Sequence, residues 1–376
     1  MRLIRGLSAL AASALLLTGC SAIGPDAEVT DVDYKACIAA SVSTIEAGSI
    51  DDQALDGVQR AVVKQGVGYK LAFASEKPNT ESYVNQLKGL IAADCDFVVA
   101  VSNRMAAATY RVAKANPDVR FALVDAELIT SFGQAAPLEN VRELRFDAAQ
   151  SAFLAGYLAA SATKSGVVAA FGANRTTQIV EVITGFKHGV DYFNSQNGTS
   201  VSIIGAPGSD PRDWSVTGAW ADSAAQTKLA YRLATRGADV IFGYTGSVVL
   251  GAKPSTSGEG ENTGTDGNAD AASPMFIGID TDWAALAAND AVKGSILASM
   301  PKRIAPVVES TVAAGLTDTF VGGIAGRYVG TLSDGGVALT EAGAVTYPTG
   351  VAGRLAQLVS EINDGTIVVD SSINNK

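Results

Sequence analysis

The sequence predicts an α/β protein with parallel sheets arranged in two domains. Three observations carry that prediction. Short apolar runs alternate with helical patterns along the whole body of the chain. The runs are continuously apolar, as parallel strands covered on both faces must be, and not alternating as in a half-exposed antiparallel sheet. The body, about 345 residues once a leader is removed, exceeds what one hydrophobic core ordinarily organises.

The chain opens with "MRLIRGLSALAASALLLTGCSA". Arg2 and Arg5 precede a short apolar run that ends in Leu-Thr-Gly-Cys. The run is too short to span a bilayer as a mature helix, which takes roughly 20 apolar residues, so it reads as an export signal over 1–19. Cysteine directly after Leu-Thr-Gly resembles the lipobox of bacterial lipoproteins, which implies acylation of Cys20 and places the protein on the extracytoplasmic face of the cell membrane. Residues 20–30 then serve as a polar tether. Without Arg2 and Arg5 the chain carries 26 basic and 38 acidic residues, a net charge of −12. Nucleic acid is a poor partner for that balance, because phosphate contact needs clustered Lys and Arg.

Strands are expected at "CIAASVS" (37–43), "YKLAFAS" (69–75), "DFVVAVS" (96–102), "RFALVD" (120–125) and "VRELRF" (141–146). A second set follows at "GVVAAFG" (166–172), "SVSIIGAP" (200–207), "ADVIFGY" (238–244), "MFIGID" (275–280) and "SILASM" (295–300). Helical spacing fills the gaps, as in "TESYVNQLKGLIAA" and "TQIVEVITGFKHGVDYFNSQ". Cys37 opens the first strand and Cys95 immediately precedes the third. The first and third strands of a doubly wound sheet can be neighbours, so the two cysteines are expected to form a disulfide outside the cytoplasm, the alternative being two buried thiols. One stretch breaks the alternation: "PSTSGEGENTGTDGNADAASP" (254–274) has almost no large apolar residue and reads as a solvated loop. Its "DGNAD" lacks the register of a calcium loop.

Chemistry is sparse. The one histidine, His188, sits inside a helical pattern, so a hydrolase triad or a His-bearing zinc site has no basis. There is no G-x-S-x-G and no P-loop. No cofactor or metal is expected. A carboxylate-only hydrolase using Asp51, Asp52 or Asp56 with Asp280 is the enzyme alternative, and it needs two acids flanking a glycosidic bond.

Several segments, in order, resemble the basic membrane protein family of substrate-binding lipoproteins, whose characterised members capture purine nucleosides for an ABC importer. They are "NVRELRFDAAQSAFLAGYLAASATKSG" (140–166), "ITGFKHGVDYFN" (183–194), "RGADVIFGYTGSVVLGA" (236–252), "FIGIDTD" (276–282) and "ILASMPKRI" (296–304). The resemblance implies a type I periplasmic-binding-protein fold: two doubly wound lobes with a ligand cleft between them. Lobe one is then 31–143 plus 301–323, and lobe two 144–300 plus 324–376. It also implies a membrane permease as partner.

The resemblance implies site residues as well. Trp220 stands where the family places an aromatic that stacks on the base. Asp280 matches the acid that binds the sugar, and Lys302 the lysine that donates to the sugar or to that acid. Gly246 fits a close backbone approach, and Asn103 lines the cleft after the third strand. Asp52 matches the family's acid at the first helix and ranks first there as a ligand contact. The same segment departs from the family pattern three times: Gln53 replaces a lysine, Leu55 an aromatic and Asp56 an asparagine. An ionised aspartate only accepts hydrogen bonds, so Asp56 at a base edge predicts a preference for guanosine, while Leu55 replaces stacking by apolar contact. The other binding alternative keeps the fold and changes the cargo to a sugar, an autoinducer or an amine.

Overall fold

The structure is a computed structural model and describes residues 33–208, 214–218, 223–245, 274–287, 289–317, 319–341 and 345–373. Cys20, Trp220, Gly246 and all but the last residue of 254–274 lie outside them.

The first lobe begins with β1 (Ala36–Ala39), α1 (Ile50–Gln65), β2 (Leu71–Ala72) and α2 (Thr80–Ile91). It continues through β3 (Phe97–Val101), a 3-10 turn (Asn103–Met105), α3 (Ala106–Ala115), β4 (Arg120–Val124) and β5 (Val141–Phe146). The chain then crosses into α4 (Ala148–Ala162), β6 (Val167–Gly172), α5 (Thr177–Asn197) and β7 (Ser202–Ile204). Next come α6 (Ser223–Thr235), β8 (Val240–Tyr244), β9 (Met275–Asp280), α7 (Trp283–Leu286), α8 (Asp290–Gly294) and β10 (Ile296–Pro301). It returns through α9 (Ile304–Leu316), α10 (Gly323–Gly326) and β11 (Tyr328–Gly330), and ends with β12 (Thr340–Glu341) and α11 (Val351–Asn363).

Two six-stranded sheets result, ordered β11-β5-β4-β3-β1-β2 and β12-β10-β9-β8-β6-β7. Every pairing is parallel except β10 with β12. β1 and β3 are buried at every position and β9 at all but its first, as their apolar runs require.

The expected boundary at 323/324 moves. Tyr328–Gly330 pairs with Leu144–Phe146 and so completes the first lobe's sheet. The chain passes between lobes at 146–148, at 301–304 and again after Gly330. Asp147 N donates to Gly330 O at 2.8 Å and Arg303 N to Gly336 O at 2.9 Å, which ties the crossings together.

Cys37 and Cys95 are joined by a disulfide with a Cα–Cα distance of 5.9 Å. Strand pairing brings the β3 end to β1, with Cys37 opposite Val98, and the turn after α2, where Cys95 N donates to Leu90 O at 3.3 Å, brings Cys95 onto Cys37. The bond closes a separation of 58 residues, worth about 4 kcal/mol against the unfolded chain in the entropic account.

In the second lobe, glycines let α4 and α5 touch along their backbones. A Cβ on Gly189 would overlap the Phe153 carbonyl oxygen, and one on Gly156 the Phe186 carbonyl oxygen. Gly185, which sits against Ala149, completes the stripe. The "GFKHGV" pattern thus has a packing role, with His188 on the exposed side of α5.

Candidate functional site

The carboxyl ends of strands from both sheets face one another across a cavity of about 340 Å³. The first lobe lines it with the loops after β1, β2 and β3 and with Asp125 after β4. The second contributes the start of α5 and Tyr244 at the end of β8. Crevices outside the carboxyl ends of parallel strands are where open α/β sheets bind ligands, and the volume falls in the usual range of roughly 300–1,000 Å³.

Three non-glycine residues at these strand ends hold positive φ: Ser102 at 79°, Asp125 at 56° and Asp280 at 74°. Such conformations cost about 1–3 kcal/mol each and persist where surrounding structure over-determines them. Here they follow β3 and β4 and close β9, turning the chain at the cleft.

On the first lobe's wall, Asp51 is buried and accepts from Ser41 N at 2.6 Å and Ser41 Oγ at 2.9 Å. Burial pushes its carboxyl up, against the Ser41 hydrogen bonds and the nearby Arg104 charge that pull it down. Arg104 donates from a terminal nitrogen to Ser41 Oγ at 3.0 Å, and Tyr83 OH donates to Ser41 O at 2.8 Å. The end of β1 is therefore held by groups from α1, α2 and the turn after β3.

At the floor, Lys302 Nζ lies 2.7 Å from Asp125 Oδ2 and 2.8 Å from Asp280 Oδ1. The three side chains are 1–8 % exposed, so the charges meet out of water. Burial disfavours the ammonium, but the two carboxylates override it and Lys302 is held well above the ordinary lysine value. Two acids share one lysine, so one negative charge is in excess. Burial, against the pull of Lys302 and with the push of Asp280, raises Asp125. Gln178, at the start of α5, faces Asp125 across the cleft and pulls its carboxyl down, and the Tyr244 ring centre lies 5.7 Å from Lys302 Nζ. A second bridge joins the lobes: Gln53 Nε2 on α1 donates to Asp280 O at 2.8 Å.

The expected site residues divide. Asn103 lines the cavity. Asp280 and Lys302 meet, and Asp125 carries their cluster to the cavity wall. The other three residues from α1 do not line it. Asp52 accepts from Gly48 N at 2.9 Å, while its own N–H is capped by Ser49 Oγ at 3.2 Å. It therefore anchors the helix start, favoured by the positive end of the helix dipole. Leu55 packs in the first lobe's core with Val58 and Val308. Asp56 pairs with Arg60 at 2.6 Å, one turn on, with both side chains nearly half exposed. Helical periodicity is the cause: α1 buries its Leu55 stripe on the sheet and turns Asp56 outward, so the cleft sees only Ser49, Ile50 and Asp51. The Asp56 basis for a guanosine preference falls with that placement. Trp220 and Gly246 lie outside the described residues.

Asp125, Arg104, Gln178 and Tyr244 were not singled out from the sequence. Asp125 had a signal: like Asp280, it is an acid ending an apolar run. Arg104 sits in a turn and Gln178 at a helix start with no local mark, and Tyr244 ends β8 as one more apolar residue of the run.

Two parallel α/β lobes that face each other across a cavity at their strand ends, linked by three crossings, make up the type I periplasmic-binding-protein fold. Solved structures share it. A solute-binding protein of an ABC transporter system from Aeropyrum pernix superposes with TM-score 0.65 at 19% identity, covering 90% of this chain and 94% of its own. One from Conexibacter woesei gives TM-score 0.63 at 19% identity, covering 90% and 98%. Residues 38–371 match the family described as ABC transporter substrate-binding protein PnrA-like, and the chain belongs to that family. Among its relatives, the "ABC transporter nucleoside-binding protein BmpA" of Lactococcus lactis is 26% identical over 96% of both chains. "Basic membrane protein A" of Borreliella burgdorferi is 25% identical over 67% of this chain and 66% of its own. The match to "Basic membrane protein A2" of Borrelia garinii, 26% identical, spans 44% of this chain and about half (48%) of that relative.

Proposed function

We propose that this protein is the substrate-binding component of an ABC importer and captures a purine nucleoside in its cleft, performing no chemistry. The observation that carries the reading is the cluster at the floor, where an acid from each lobe meets on one lysine beside the cavity. A carboxylate accepts from both hydroxyls of a ribose diol, as an acid reads ribose in dinucleotide sites. The name of the Lactococcus relative as a nucleoside-binding protein supports the same cargo. A ligand contacting both lobes favours the closed form by its differential affinity, and a permease distinguishes loaded from empty on that basis.

The export signal and Cys20 support anchoring by lipid on the extracytoplasmic face. No helix among the described residues is long and apolar enough to cross a membrane. Cys20→Ala should release the protein from the membrane fraction.

Calorimetry on ligand-stripped protein tests the cargo, with nucleosides, free bases and free pentoses as ligands. Nucleosides should bind and the separate halves only weakly. Heat with pentoses alone would move the reading to a sugar carrier, and no heat with any nucleoside would end it.

A further inference from the structure

We infer that Arg104 is the residue that selects the base, and that it selects 6-oxopurines over 6-aminopurines. The inference rests on the nucleoside reading above and names the specificity of that same cavity.

Among the described residues lining the cavity, Arg104 is the sole cation. Of the buried acids on the wall, Asp51 gives both oxygens to Ser41, and Asp125 gives Oδ2 to Lys302 and keeps Oδ1 for the ribose. Arg104 is less committed. Its guanidinium makes one hydrogen bond to described residues, 3.0 Å to Ser41 Oγ. A guanidinium carries five N–H donors in a rigid fork, so most of them remain available to a ligand. The tie to Ser41, itself fixed by Asp51 and Tyr83, holds the fork on the wall.

Placement assigns those donors to the base. Asp125 follows β4, and Ser41, to which Arg104 is tied, follows β1. The order β4-β3-β1 puts them two strands apart, about 10 Å at ordinary sheet spacing. A ribose held at the Asp125 and Asp280 floor therefore directs its base along the strand ends toward Arg104.

The chemistry then discriminates. A 6-oxopurine presents two acceptors, N7 and O6, on one edge, and an arginine fork meets both. A 6-aminopurine presents N7 beside an amino group, so one arm of the fork faces a donor. This is the edge opposite to the one an acid would read. Inosine is accordingly as good a ligand as guanosine, since the 2-amino group plays no part.

The test is calorimetry of the full-length protein, ligand-stripped, with inosine, guanosine, 7-deazaguanosine and adenosine. The native protein should bind inosine and guanosine about tenfold or more tightly than adenosine, and 7-deazaguanosine should be weakened because it lacks the N7 acceptor. Arg104→Met should abolish the preference while still binding nucleosides. Arg104→Lys should abolish most of it too, because a point charge cannot engage two acceptors at once. Equal affinity for inosine and adenosine in the native protein would overturn the inference and leave the nucleoside reading standing. So would an unchanged preference in either variant. Absence of binding by all four nucleosides in the native protein would overturn both.

Discussion

Lys302 Nζ stands between Asp125 Oδ2 at 2.7 Å and Asp280 Oδ1 at 2.8 Å, joining an acid of each lobe through one buried ammonium. The triad is an inter-lobe tie and, in the proposed function, the floor that receives the ligand. In Lys302→Met the two carboxylates lose their common counter-charge. Breaking a buried ion pair by removing one partner costs about 3–5 kcal/mol. Urea denaturation should show a loss of that size, and calorimetry should show nucleoside binding lost.

The same triad gives a pH dependence whose sign is unusual for an acid. Asp125 is raised in the folded protein above its ordinary carboxylate value, chiefly by burial. The folded state then binds more protons than the unfolded chain between the unfolded value, near 3.9, and the raised one. Its contribution to stability grows as pH falls through the folded value and levels off below the unfolded one. Asp51, raised by its own burial, acts in the same direction. Urea midpoints measured between about pH 4 and pH 7 should therefore differ between native protein and Asp125→Asn, with the native protein gaining on the variant as pH falls.

Gln53 bridges the lobes by donating to Asp280 O at 2.8 Å and, more weakly, to Gly48 O at 3.4 Å. It does not line the cavity, so its substitution acts on closure. Gln53→Ala removes a hydrogen bond that exists only with the lobes together, worth about 1 kcal/mol. The expected result is affinity about fivefold weaker with the urea midpoint almost unchanged. Solution scattering of the ligand-free variant should show a more open particle.

Gly189 tests the contact between α4 and α5. A methyl there would meet the Phe153 carbonyl oxygen, a backbone atom that cannot swing aside. Gly189→Ala should destabilise by about 1–3 kcal/mol, as overpacking does. Gly89→Ala is the control. Gly89 is helical with open space around it, so the change should be neutral or stabilising by a few tenths of a kcal/mol.

The sequence by itself determined the alternation of strands and helices, and with it the class of fold. "MFIGID" corresponds to β9 residue for residue, because a strand buried on both faces needs an apolar run. "VRELRF" corresponds to β5 although half of it is charged, and there tertiary pairing of Glu143 with Arg327 and of Arg145 with Glu127 lets the charges be buried. The family resemblance pointed to Asp280 and Lys302, which the structure brings into contact, and strand order pointed to the pairing of Cys37 with Cys95. Tertiary structure decided the rest. β11 and β12 are 3 and 2 residues long, too short to carry a pattern, and only their pairing assigns them to opposite lobes. Three acids crowd the start of α1, but their roles depend on the helix's rotation against the sheet. Asp51 faces the cleft, Asp52 ties the helix start, and Asp56 faces solvent beside Arg60. Arg104 gains its place from a hydrogen bond to Ser41, 63 residues earlier in the chain. Periodicity reports which face of an element is buried. It does not report what lies across a cleft, because that contact is made between elements far apart in sequence.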